Sequence, residues 1–305
     1  MKSKLIRLTP LLTALVVTAT LRATEISVVA PDSPMLGFAL GKLEAALHRQ
    51  SATLKRSATP ASGRDAAIAV TVDPAGVTKL GADGFRRVRS GQSLKITAGG
   101  ERGAMYGVLD VAEQVRQGAS WDRLEDRTVK SRLEFRAIKF NLPWAAYRTS
   151  PVIEQHDVTC RDLKFWEAFL DMMAENRFNT LTLWSLHPFH YMVRPKNFPE
   201  ACPFTDTELA EWRTLWRGLL AMAKERGIET YLVNWNIFVS PEFARAHGVA
   251  RWSDGGRHIG SEPAQCFRNI LPAECFFEQA LQSHESNGRV GASAPEAAPD
   301  RNILS

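Results

Sequence analysis

The feature that most constrains the fold is an alternation of strand-like and helix-like segments that begins near Leu133. Three segments, Phe135–Leu142, Asn179–Trp184 and Ile228–Val233, are apolar and short enough to be strands. Amphipathic helical patterns separate them. Strands separated by helices run parallel, and a barrel is the commonest way to continue such a series. We therefore predict a partial (β/α)8 (TIM) barrel, its first three βα units, over residues 133–260.

The two helices between these strands have recognisable starts. Thr159-Cys-Arg-Asp162 resembles a capping sequence for the first helix, and Thr205-Asp-Thr-Glu208 is a capping box for the second. Gly227 is expected to end the second helix. The residues predicted to face the core are, in the first helix, Trp166, Phe169, Leu170 and Met173, and in the second, Leu209, Trp212, Leu215, Trp216 and Leu219.

A smaller α+β domain is predicted upstream, over residues 24–117. Its helices are expected at Pro34–His48 and Arg102–Arg116, and its strands near residues 25–30, 66–72, 85–89 and 94–98. This order favours a helix-covered, mainly antiparallel sheet. Residues 118–132 are polar and show no periodicity, so we interpret them as the connector between the domains. The whole chain is thus expected to be α/β with an α+β N-terminal domain.

The two ends of the chain differ from the domains. Residues 1–23 combine a basic start with an apolar run and small residues near Ala19 and Ala23, the layout of a signal peptide. We expect export to the periplasm or the extracellular space, with no membrane association after the signal is removed. The segment carries four cations and no acidic residue, so its removal lowers the formal net charge from +5 to +1. That balance argues against nucleic acid as a partner. Residues 261–305 are expected to be a poorly structured tail.

The sequence predicts neither a metal nor a cofactor. The cysteines Cys160, Cys202, Cys266 and Cys275 lack zinc-ligand spacing, and one disulfide of unassigned pairing remains open. The pair His187 and His190 lies in a proline-containing loop without a carboxylate ligand. The glycines after residue 98 lack the spacing of a phosphate-binding loop.

Candidate binding residues follow the three barrel strands, because ligands of parallel barrels sit at the carboxyl ends of the strands. These segments are rich in indole, amide and imidazole groups, which suit sugars: C–H faces pack on aromatic rings and amides bind hydroxyls. A single Trp can equally be a core residue. Taken together, the three loops favour a carbohydrate site that includes Asn141, Trp144, Trp184, His187, Asn234, Trp235 and Asn236.

No catalytic pair of carboxylates emerges. Glycosidic cleavage usually requires two carboxyl groups that flank the bond. The available carboxylates lie at helix starts or in distal loops: Asp157, Asp162, Glu200, Asp206 and Glu242. The catalytic residues are therefore unknown.

Several segments resemble glycoside hydrolases. Leu94–Glu113, with its Gly-Gly-Glu-Arg-Gly-Ala-Met-Tyr-Gly core, resembles the last strand and helix of the small domain that precedes the barrel in α-glucuronidases and β-N-acetylhexosaminidases. Phe135–Trp144 is similar to the first barrel strand of those families, and residues 179–184 and 227–236 are similar to strands two and three. Arg136 falls where the hexosaminidase-like enzymes carry an Arg that binds sugar hydroxyls. Asn141 and Trp144 fall near an Asn/Trp stretch of the α-glucuronidases.

The resemblance implies a carbohydrate-active hydrolase of polysaccharides or glycans. In both families the catalytic carboxylates lie on strand four and later, where this sequence offers no such strands, so the chain is expected to show little or no turnover. A truncated or frame-shifted coding sequence would account for that. The alternatives are a non-catalytic carbohydrate-binding or scaffold protein and a non-functional fragment. The sugar, the linkage and the oligomeric state stay open.

Overall fold

The computed structural model describes residues 24–58, 66–144, 150–185, 188–234 and the single residue Ala246. The chain divides into two compact units, Met1–Lys130 and Ser131–Ser305. The predicted signal peptide and tail lie outside the described residues. None of the described helices is both long enough and apolar enough to cross a bilayer.

The elements described in the first unit are β1 Thr24–Val29, α1 Pro34–His48, β2 Ala52–Arg56, β3 Ala67–Val72, α2 Val77–Leu80, β4 Phe85–Ser90, β5 Ser93–Ala98, α3 Glu101–Arg116 and β6 Arg127–Val129. The strands form one six-stranded sheet with the order β2-β1-β3-β5-β4-β6. The β1–β2, β1–β3 and β3–β5 pairs are parallel, and the β4–β5 and β4–β6 pairs are antiparallel.

The prediction of a mainly antiparallel sheet is wrong. The strand β2, which the sequence analysis missed, follows α1 and pairs with β1 in parallel, because an intervening helix returns the chain to the end of the sheet where it started. β2 was missed because Leu54 stands among polar residues at the edge of the sheet. The segment 118–132 is also more ordered than a connector, since β6 pairs with β4 there.

Both long helices of this unit bury the apolar residues that recur at helical spacing in their sequences. Ser33 caps α1, and the leucines at positions 36, 40, 43 and 47 are all buried. In α3 the buried residues include Met105, Val108, Leu109, Ala112 and Val115. This helix approaches the sheet closely at Gly107. A Cβ atom there would lie 2.6 Å from Ile96 Cγ2, which explains the glycine without any ligand.

The elements described in the second unit are β7 Ala137–Asn141, α4 Pro151–Arg161, α5 Leu163–Glu175, β8 Thr180–Ser185, α6 Asp206–Glu225 and β9 Glu229–Asn234. The strands form a three-stranded sheet with the order β7-β8-β9. Both pairs are parallel and in continuous register, which confirms the predicted parallel arrangement.

Helix starts in this unit agree with the prediction in one case and differ in the other. The capping box of Thr205 and Glu208 is present at α6, and Gly227 follows that helix with φ +64°. By contrast, Thr159 lies inside α4, a helix that the sequence analysis missed, and its hydroxyl donates to the Gln155 carbonyl. Asp162 alone caps α5, through Lys164 N–H.

Candidate functional site

The carboxyl ends of the three parallel strands bring together residues from distant parts of the chain. Asn141 of β7, Trp184 of β8 and Val233 of β9 occupy the same level of the sheet, and Ser185 stands beside Asn234 one residue further on. Three of the predicted site positions, 141, 184 and 234, therefore meet at one edge. In a parallel sheet this is the edge where ligands bind.

The two faces of this sheet differ in what covers them. On one face Phe140 packs against helix α5, with ring centroids 4.8 Å from Trp166 and 5.4 Å from Phe169. Leu181 and Leu183 are fully buried on this helix-covered face. The alternation of strand side chains places the other set on the opposite face, which we call the open face: Lys139, Asn141, Thr182, Trp184, Tyr231 and Val233.

Trp184 is the aromatic residue of the open face that lies at the carboxyl edge. Its indole is half-buried, and the Lys139 ammonium stands 5.6 Å from the ring centroid, a cation–π contact. Asn141 is exposed beside it, and its carbonyl lies 3.3 Å from His156 Nε2. An indole, an ammonium and an amide thus form one accessible cluster.

Trp144 does not join this cluster. It is only 3% exposed and lies on the helix-covered side, with its ring centroid 4.7 Å from Trp212 and 5.5 Å from Trp216 of α6. The Tyr191 ring also contacts Trp144, with ring centroids 5.8 Å apart. The expectation that Trp144 and Trp184 line the same carbohydrate site is not met, because the hydrophobic face of α6 buries the Trp144 ring. Trp144 is therefore a core residue, which is the alternative stated above for any single Trp.

Arg136 also lies away from the cluster. It precedes β7 and is therefore at the amino end of the sheet, opposite to Asn141. Its Nε donates to the Arg177 carbonyl at 2.5 Å, and its Nη1 donates to the Ser131 hydroxyl at 2.9 Å and the Leu133 carbonyl at 2.5 Å. The guanidinium ties the loops before β7 and β8 together, and the structure does not bring it to the sugar-binding edge that the resemblance implied.

The remaining predicted residues His187, Trp235 and Asn236 lie outside the described residues, and Asn234 is described as the last residue of β9. They stay predictions. His190, the second histidine of the same loop, packs against Tyr191 with centroids 4.1 Å apart.

The carboxylates that were weighed for catalysis have other partners where they are described. Asp157 pairs with Arg161 at 3.0 Å, Asp162 caps α5, and Asp206 pairs with Arg194. Glu200 lies in a short 3-10 helix at Pro199–Ala201. None of these four belongs to the open face, and Glu242 lies outside the described residues.

A cysteine and a histidine lie close together near the end of β7. Cys160 Sγ is 3.6 Å from His156 Nδ1 and fully buried. Burial raises the pKa of the Cys160 thiol to about 12, and the neighbouring Asp157 charge adds to the shift. The thiol stays protonated near neutral pH, so this pair is not an activated nucleophile. Among the described residues, His, Cys, Asp and Glu side chains do not gather in a group that could hold a metal ion.

Lys139 was not among the predicted site residues. Those residues follow the strands or lie at their carboxyl ends, apart from Arg136, whereas Lys139 lies in the middle of β7. The signal was present: a charged residue between Ile138 and Phe140 in a strand marks the face that is not packed against helices.

The comparisons relate the chain to known structures by fold. No protein-family model matches the sequence, and no curated protein matches it. Its structural neighbours are glycoside hydrolases. A GH138 enzyme targeting pectin rhamnogalacturonan II superposes with a TM-score of 0.62 at 23% identity, covering 74% of this chain and 26% of that enzyme. The chain thus spans about a quarter of that enzyme's length.

Two other neighbours are more distant. The GH20 β-N-acetylhexosaminidase from Streptomyces coelicolor A3(2) matches with a TM-score of 0.45 at 13% identity, covering 68% of this chain and 41% of that one. A GH115 4-O-methyl-α-glucuronidase with specificity for decorated arabinogalactans matches with a TM-score of 0.42 at 18% identity, covering 68% and 28%. The chain shares the fold of part of the GH138 enzyme.

Proposed function

We propose that the chain is the carbohydrate-binding front part of a glycoside hydrolase and that it binds sugar at the carboxyl edge of β7, β8 and β9. One observation carries the proposal: Asn141 and Trp184 stand side by side on the open face, at the edge where parallel sheets bind ligands. An indole offers a surface for sugar C–H groups, and an amide offers both a donor and an acceptor for hydroxyls. The fold shared with the GH138 enzyme supports this assignment.

The three strands are, in this proposal, the first three of a (β/α)8 barrel. Two features support it: the strands are parallel, and the helices that the structure describes cover only one face. In a barrel the other face is the interior, which side chains fill. The partly exposed Tyr231 and Val233 on the open face, at 49% and 42%, are the residues that further strands would cover.

Little or no hydrolysis is expected from the described residues alone. Hydrolysis of a glycosidic bond needs an acid and a base or nucleophile. Of the weighed carboxylates, Asp157 and Asp206 are engaged in ion pairs with arginines and Asp162 caps a helix. This observation favours the second candidate function, a protein that binds carbohydrate without cleaving it. Which sugar it binds, a uronide or an N-acetylhexosaminide, is left open by the resemblance.

The test is sugar binding by the full chain, measured by calorimetry with pectin-derived and chitin-derived oligosaccharides. Replacing Trp184 by Ala should weaken binding about two- to tenfold, since a stacking aromatic contact contributes about 0.5–1.5 kcal/mol. The matched control is Phe38→Ala in the first unit, a half-buried ring that also carries a lysine over it, at 5.5 Å. Equal affinity of wild type and Trp184→Ala would contradict the proposed site.

Hydrolysis is assayed in parallel on aryl α-glucuronide and aryl β-N-acetylhexosaminide. Binding without release of the aryl group would support the non-catalytic function. Robust turnover of either substrate would contradict our reading of the carboxylates.

We further propose that the chain is exported, on the basis of the leader-like pattern of residues 1–23. Expression in a bacterial host followed by fractionation tests this: the protein should be found outside the cytoplasm and should begin near residue 20 or 24. Retention of Met1 on a cytoplasmic product would contradict it.

A further inference from the structure

The open face carries a cation at its centre. Lys139 is the middle residue of β7 and stands beside Thr182 of β8, and its side chain is exposed. The Trp184 ring lies beneath the ammonium, with 5.6 Å between Nζ and the ring centroid. The contact holds the cation at the same edge as Asn141, which is the edge of the proposed sugar site.

This ammonium has no carboxylate partner within 4.0 Å in the part of the chain that the structure describes. The acidic residue described on the same face is Glu229 of β9, and β8 separates its strand from β7. Glu229 stands beside Thr180, whereas Lys139 stands beside Thr182, so the two residues also lie at different levels of the sheet. Its carboxylate also accepts from the Tyr231 hydroxyl at 3.5 Å. The Thr182 hydroxyl between the two strands donates to the Ile138 carbonyl and so does not compete for an anion.

We infer that Lys139 makes the site selective for anionic saccharides, with the ammonium pairing to an acidic group of the sugar that stacks on Trp184. This inference rests on the proposed function and deepens it, because it distinguishes between the two sugar classes that stay open there. A neutral N-acetylhexosamine offers the ammonium only hydroxyl and amide oxygens. A carboxylate or a sulfate ester accepts the same hydrogen bond with a full negative charge, so the attraction between opposite charges is added.

Two sources can supply that anion, the carboxylate of a uronic acid or a sulfate ester. The experiment measures the affinity of the full chain for three probes. These are a pectic oligouronide, the same oligouronide after chemical reduction of its carboxylates to alcohols, and a sulfated oligosaccharide of similar length. The reduced probe keeps the ring stacking and loses only the charge.

Wild type is expected to bind the oligouronide about tenfold more tightly than its reduced form, because only the oligouronide places a negative charge against the ammonium. Lys139→Met should abolish this preference by weakening the charged probe alone, and Lys139→Arg should retain it. Lys42→Met, which removes the corresponding cation over Phe38 in the first unit, should change neither affinity. If only the sulfated probe shows the Lys139-dependent preference, sulfate is the anion and the inference stands.

The binding results distinguish a failure of this inference from a failure of the proposed function. If wild type and Lys139→Met bind charged and reduced probes equally, and Trp184→Ala weakens both, the sugar site is right and the role of Lys139 is wrong. If wild type binds none of the three probes, the proposed function is wrong and this inference falls with it. Circular dichroism of every variant verifies that the fold is retained.

Discussion

Arg87 and Asp110 show how a single buried charge pair can organise the first unit. Arg87 is 1% exposed, and its Nη1 donates to Asp110 Oδ2 at 2.9 Å, while its Nε donates to the Glu125 carbonyl. Arg127 of β6 reaches the other oxygen of Asp110 at 3.0 Å. Burial lowers the pKa of Arg87, and the charge of Asp110 opposes that shift. The pair thus joins β4, α3 and the segment that precedes β6.

Replacing Asp110 by Asn is expected to lower the free energy of unfolding by about 3–5 kcal/mol, because it leaves the buried guanidinium without its counter-ion. Urea denaturation measures the loss. The matched control is Glu25→Gln, which removes a pair between exposed side chains, Lys55 and Glu25 at 3.4 Å, and should cost less than about 1 kcal/mol. Equal losses in the two variants would contradict the structural role of the buried pair.

The raised pKa of Cys160, another single residue, predicts that the folding stability depends on pH. Its folded-state pKa is raised to about 12, whereas a thiol in an unfolded chain ionises near pH 8.5. The protonated thiol therefore contributes stability that is complete below about pH 8.5 and is lost as the pH rises toward 12. Between pH 8 and pH 10.5 the free energy of unfolding of wild type should fall by roughly 2 kcal/mol relative to that of Cys160→Ala.

Alkylation gives a direct check of that shift. At pH 8.5 iodoacetamide should label Cys160 in urea and leave it unlabelled in the folded protein, which mass spectrometry of the digested chain distinguishes. Equal labelling rates in the two states would contradict the burial of the thiol.

At the scale of an element, α3 depends on a small residue where it crosses the sheet. A Cβ at position 107 would meet Ile96 Cγ2 at 2.6 Å and Phe85 Cγ at 3.2 Å. Gly107→Ala is therefore expected to destabilise the first unit by about 1–3 kcal/mol through overpacking. In α1 a Cβ at position 41 meets nothing within 4 Å, so Gly41→Ala should stabilise by up to about 1 kcal/mol. Thermal unfolding of the two variants should give shifts of opposite sign.

At the scale of the whole molecule, the second unit exposes the apolar side chains of a parallel sheet. Tyr231 and Val233 are 49% and 42% exposed, and Phe135, which contacts Tyr231 edge-on at 6.4 Å, is 62% exposed. Parallel sheets are normally covered on both faces, and exposed apolar patches promote association. The described residues of this unit thus leave a surface that other polypeptide can cover.

We expect the full chain to bind the dye ANS and to associate with increasing concentration. The double variant Tyr231→Lys/Val233→Lys should lower dye fluorescence and shift light scattering toward the monomer. Val152→Lys, at an apolar residue of α4 that is 75% exposed, is the matched control and should leave both signals unchanged. A double variant that binds the dye like wild type would show that the open face is covered in solution.

The helices and most strands were predictable because their signals are local. α1 was predicted at its observed bounds, and the capping box of α6 was recognised from four residues. Strand β2 and the parallel pairing of the first sheet were not predictable in this way, since pairing joins residues that are far apart in the sequence. Helix α4 was missed because its exposed face includes Val152 and Val158, which blur the amphipathic pattern.

For the candidate site, the sequence by itself determined that Asn141, Trp184 and Asn234 lie at or next to the carboxyl ends of three strands, because short apolar runs between helical patterns define where strands stop to within a residue or two. Only the tertiary structure decided which side chains meet solvent there. The packing of α5 and α6 on one face buries Trp144 and leaves Trp184 accessible. Strand register then sets Lys139 over the Trp184 ring. Strand register and the burial of a residue that follows a strand, such as Trp144, depend on contacts between distant segments, which local patterns do not encode.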